Sequence, residues 1–79
     1  MRLQLDTHPG VILEDPEWQV LHTVDRPAEQ TFTPTIVLDC GPNLRVLHRL
    51  PPQPYVNGTW GDEHVSAAVQ AYLPTLEVG

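Results

Sequence analysis

Two apolar runs, Thr31 to Cys40 and Leu44 to Leu50, stand three residues apart and constrain the fold more than any other part of the chain. Joined through Gly41-Pro42-Asn43, they read as an antiparallel hairpin, with Gly before Pro leaving the turn type open. Placing Cys40 opposite Leu44 sets Asp39 against Arg45, Leu38 against Val46 and Ile36 against His48. One face then collects Ile36, Leu38, Cys40, Leu44, Val46, His48 and Leu50. The other carries Thr35, Val37, Asp39, Arg45, Leu47 and Arg49, the separation that a half-buried sheet requires. Pro34, with no N–H to donate, is placed at the strand's start or on an edge.

The flanking segments supply the remaining elements. Arg2 to Asp6 alternates polar and apolar, with Leu3 and Leu5 on one side, as a short strand does. Thr7-His8-Pro9-Gly10 reads as a turn before a second short run, Val11-Ile12-Leu13. Trp18 to Val24 fits a helix with Asp15 as N-cap, or a strand with Trp18, Val20, His22 and Val24 on one face. Its β-branched and aromatic content favours the strand. Pro51-Pro52-Gln53-Pro54 is extended chain and Asn57-Gly58 a turn. Thr59 and Asp62 have capping-box spacing, so a helix is expected from about Trp60 to Leu73, with Val65, Ala68, Val69 and Tyr72 in one stripe and Pro74 as the stop. The expectation is an α+β fold: a small antiparallel sheet of three or four strands packed against one C-terminal helix, in a single compact domain over residues 1–79.

Charge narrows the function classes. Ten carboxylates against four arginines and no lysine give a net charge of −6, distributed as −5 over residues 1–43, +2 over 44–58 and −3 over 59–79. Duplex binding draws its affinity from cations that neutralise phosphates, so direct nucleic-acid binding is disfavoured, as is binding to anionic membranes. The longest apolar stretches, Val11 to Leu13 and Ile36 to Leu38, fall far short of a spanning helix, and no signal-peptide pattern opens the chain. A lone cysteine, Cys40, forms no internal disulfide and suits a reducing cytoplasm.

No residue set points to catalysis. His8, His22, Cys40, His48 and His64 lack the short paired spacings of zinc sites, and the hairpin register, with Cys40 opposite Leu44, sets His48 about 13 Å along the face from Cys40, too far to share an ion. Asp39 beside Cys40 has the wrong sign to activate a thiol, so Cys40 reads as a small apolar residue near a strand end. His48 reads as a satisfied core histidine. Asp62, Glu63 and His64 point about 100° apart on a helix, and the two carboxylates stabilise the helix start instead. No cofactor or metal is expected.

Glu14, Asp15 and Glu17 have no cation nearer in sequence than Arg2 and Arg26. With Trp18 as aromatic anchor, and extended by Asp25 and Glu29, they form the candidate partner-binding set, aimed at a basic protein surface such as a nucleic-acid-binding groove. The leading expectation is a non-catalytic interaction protein that blocks such a surface, such as a phage-encoded, anti-CRISPR-like inhibitor of host defence, with the oligomeric state open and a monomer favoured. A small structural subunit of a virion or other assembly, packing through an exposed sheet edge or through Val37 and Leu47, is the alternative.

Overall fold

A computed structural model describes residues 1–5, 10–42 and 44–78. Its elements are β1 (Arg2–Gln4), β2 (Ile12–Glu14), β3 (Glu17–Arg26), β4 (Thr31–Asp39), β5 (Arg45–Arg49), β6 (Gln53–Pro54), α1 (Asp62–Tyr72) and a 3-10 turn (Leu73–Leu76). β4 is the centre of the larger antiparallel sheet, with β3 on one side and β5, then β6, on the other. β1 and β2 form a separate antiparallel pair, tied to the chain end by the Val78 N–H bond to the Arg2 carbonyl at 2.8 Å. This is the α+β arrangement expected, with one C-terminal helix.

The β4–β5 register follows the sequence expectation residue by residue: Ile36 pairs His48, Leu38 pairs Val46 and Asp39 pairs Arg45, while the Cys40 N–H donates to the Leu44 carbonyl at 2.9 Å. Alternation then buries Ile36, Leu38, Val46 and Leu50 against Leu3, Leu5, Leu13, Val69 and Leu73. Each such side chain contributes about 1.5–3 kcal/mol on burial. α1 presents Val65 and Val69 inward, as the stripe predicts, and Phe32 stacks on Trp60 with ring centroids 5.5 Å apart.

Four details differ from expectation. Pro34 lies within β4, not at its start or on an edge strand. Its carbonyl accepts from the Leu50 N–H, so its nitrogen also addresses the β5 side, where the chain leaves the sheet at Pro51 and no ladder donor is needed. β3 is a strand, but a bulge leaves Leu21 without a partner between Val20, opposite Ile36, and His22, opposite Thr35. The bulge reverses the alternation, so Trp18, Val20 and Thr23 are half-buried while His22 and Val24 are exposed.

The helix starts at Asp62 with Gly61 as N-cap, not Thr59. Thr59 is occupied elsewhere: its N–H and carbonyl both bond to Val56 across a tight turn in which Asn57 (φ 54°) and Gly58 (φ 79°) adopt the left-handed geometry of a two-residue hairpin. Finally, Tyr72 is the last α-helical residue, and Pro74 sits in the first turn of the 3-10 segment that follows. Of the predicted turns, Thr7, His8, Pro9 and Asn43 lie outside the described residues, as does Asp6 at the end of the first strand expectation.

Candidate functional site

Among the described residues, the helix and the β1–β2 pair cover one face of the large sheet and leave the other open. Across its strands run three rows: Glu17, Asp39 and Arg45; Gln19, Val37 and Leu47; and His22, Thr35 and Arg49. Leu47 is 60 % exposed and Val24 is 41 % exposed, so this open face carries large apolar side chains in water. The short Thr33 and Thr35 are nonetheless buried.

At the end of the sheet beyond Glu17, the acidic residues gather. Glu14, Asp15, Glu17 and Asp39 border a shallow concavity of about 420 Å³, together with Cys40, Gly41 and Pro42. Glu14 receives Arg2 Nε at 3.3 Å from the paired strand. Asp15, with φ of 45°, holds the Met1 ammonium, and the hydrogen bond and charge of that ammonium keep its carboxyl below the usual carboxylate range. Asp39 meets Arg45 Nε at 3.5 Å. Glu17 faces Asp39 directly across the β3–β4 ladder, a like-charge pair that weakens the sheet.

Three of the six expected partner-binding residues, Glu14, Asp15 and Glu17, are therefore together, and Asp39 joins them from β4. The other three are not. Trp18 is no free anchor: the alternation turns it inward, where it packs against the core cluster. Asp25 lies toward the far end of β3, about 23 Å from Glu17 by strand rise, and accepts a hydrogen bond from the Tyr55 hydroxyl. That bond, foremost among its surroundings, raises the Tyr55 pKa. Glu29 stands in the β3–β4 turn, with its N–H donating to the Arg26 carbonyl.

The sequence places Arg49 on this face, as the structure does, but assigns no role to it or to Arg26. Arg26 and Arg49 border a second groove, of about 460 Å³, whose walls include Val24, Leu50 and Pro52. The positive segment 44–58 was the available signal, but the β3 contribution needs the fold.

The acid-base candidates are engaged structurally. His64 Nδ1 accepts the Gly61 N–H at 2.9 Å, capping α1 beside Asp62 and Glu63. His48 is buried, with Nε2 2.9 Å from the Tyr72 hydroxyl and the rings stacked. The half-buried Cys40 thiol donates to the Glu14 carbonyl at 3.5 Å. Among the described residues no three histidine, cysteine or acidic side chains converge as metal ligands, and no helix is long and apolar enough to cross a membrane. Comparison with protein-family models, characterised proteins and solved structures gives no match.

Proposed function

We propose that the protein is a non-catalytic interaction domain whose acidic rim and open sheet face occupy a basic surface on a partner protein. The observation that carries this reading is the adjacency, on one open face, of the carboxylates of Glu17 and Asp39 with exposed Leu47 and half-buried Val37. An apolar centre with a charged rim is the anatomy of a protein interface, and Leu47 takes the anchoring role first assigned to Trp18. Glu14 and Asp15 continue the rim around the concavity.

The carboxylates steer the encounter and Leu47 supplies the desolvated contact. A nucleic-acid-binding groove is the partner surface that suits this chemistry, in a cytoplasmic setting that keeps Cys40 reduced. Phage-encoded inhibitors of host defence, anti-CRISPR proteins among them, are one setting in which small acidic domains of this kind occur.

Affinity capture from the native host at low and high ionic strength tests it. A basic protein retained at low salt and released at high salt is the expected result, with retention lost in the variant E14Q/E17Q/D39N. Retention that ignores both salt and these substitutions would overturn it. The second reading, an assembly of identical copies, draws on the open edge of β3 and is taken up next.

A further inference from the structure

β3 pairs only with β4 among the described residues, so one whole edge of this ten-residue strand is open. Such an edge presents unpaired N–H and carbonyl groups and is a template for another strand. The geometry points to a second copy of this chain as its occupant, through antiparallel pairing of β3 with β3 about a two-fold axis beside Leu21 and His22.

The backbone directions carry the first half of the argument. In a strand the N–H and carbonyl of one residue point to the same side, and successive residues address opposite sides. The Pro34 carbonyl accepts from Leu50 and the Cys40 N–H donates to Leu44, so even-numbered β4 residues address β5 and odd-numbered ones address β3. Their β3 partners Glu17, Gln19, His22, Val24 and Arg26 therefore bond to β4. Trp18, Val20, Thr23 and Asp25 are left to address the open edge. Because Leu21 is looped out of the register, Val20 and Thr23 lie one ladder step on either side of the bulge, and Trp18 and Asp25 lie three steps away. Two-fold pairing about the bulge sets Val20 opposite Thr23 of the second copy and Trp18 opposite its Asp25, each pair with donors and acceptors facing.

Side chains carry the second half. Opposed residues in a sheet must share a face, and the bulge brings this about: Glu17 and Arg26 both lie on the open face, whereas in a straight strand nine residues of separation would place them on opposite faces. The same pairing sets Glu17 against Arg26 of the second copy at both ends. Among the described residues, none of the ion pairs engages Arg26. Bulges and charges ordinarily blunt an edge. Here the bulge falls on the axis and the charges meet their opposites. The product is a continuous sheet of order β5-β4-β3-β3-β4-β5 with both open faces on one side, a closed isologous dimer.

Sedimentation velocity from micromolar to millimolar protein tests the pairing. The parent chain is expected to dimerise; Glu17→Arg alone and Arg26→Glu alone each set like charges at both ends and raise the dissociation constant about tenfold. The double variant E17R/R26E restores the parent value. In a second test on a Cys40→Ser background, His22→Cys, beside the axis, oxidises to a linked dimer. Glu17→Cys, roughly 26 Å from its copy, does not. A parent chain that stays monomeric, single variants that associate like the parent, a double variant no better than the singles, or equal crosslinking at both positions would each overturn the proposal. The parent-chain and crosslinking outcomes leave salt-dependent capture of a basic partner untouched, since that reading rests on the open face; Glu17 lies on both surfaces, so its variants are scored here by association alone.

Discussion

His48 and His64 are imidazoles that the fold uses as hydrogen-bonding parts. For His48 the inward placement was legible, because the hairpin register sets it opposite Ile36; its partner Tyr72 was not, since nothing in the sequence fixes how α1 lies on the sheet. Tyr72→Phe removes a hydrogen bond at a buried imidazole and is expected to lower unfolding stability by about 1–2 kcal/mol in urea titration. His64 was illegible as a cap because Thr59 offered the more usual residue type. His64→Ala should cost about 0.5–1 kcal/mol, while His64→Gln, which can accept the same Gly61 N–H, should hold most of it. At Tyr55 the raised pKa makes the bond to Asp25 a pH-dependent contribution. A group whose folded pKa is raised stabilises fully below its unfolded value, about 10, and loses that contribution as pH climbs through the folded one. Tyrosinate absorbance of the native chain should contain a late step from Tyr55, and Asp25→Asn should bring that step back toward the ordinary value.

Elements were legible where a turn and an alternating pattern agreed. The Gly41 turn and the two flanking runs specify one register, and a slip of one residue would have exposed Ile36 and Leu38 together. β3 shows the limit of that logic. Trp18, Val20, His22 and Val24 alternate without interruption in sequence, so the extra residue becomes visible only when β4 is laid beside it. Trp18 was misplaced for a related reason: its neighbouring carboxylates suggest solvent, but its parity with Val20 puts it on the covered face. Deletion of Leu21 follows as a test at this scale. It removes the looped-out residue and leaves Val20 opposite Ile36 and His22 opposite Thr35 in an uninterrupted ladder. The shortened chain should fold with circular dichroism like the parent and stability within about 1 kcal/mol, whereas deletion of Val37, which is counted in the ladder, should prevent folding.

For the whole molecule, charge that looked like a single acidic tract in sequence becomes two ends of one sheet. Arg2, Arg45 and the Met1 ammonium offset part of the acidic end, and Asp25 is tied to Tyr55, so net charge alone overstates the free field. Within one copy, what stays uncompensated at that end is Glu17, facing Asp39 across the strand. Folding gains nothing from that pair, nor from leaving Leu47 in water, and residues that work against stability are where a binding role is best sought. The two faces of β5 make the contrast measurable. Val46→Ala cuts into the core and should cost about 1–3 kcal/mol, with partner capture falling only as the folded fraction falls. Leu47→Ala, one residue along on the open face, should leave the unfolding midpoint within about 0.5 kcal/mol of the parent and still weaken capture. Glu17→Gln should go further, raising stability by up to about 0.5 kcal/mol through relief of the repulsion while capture becomes weaker and less salt-sensitive. Opposite signs for stability and binding at one residue separate a surface kept for a partner from one that merely faces solvent.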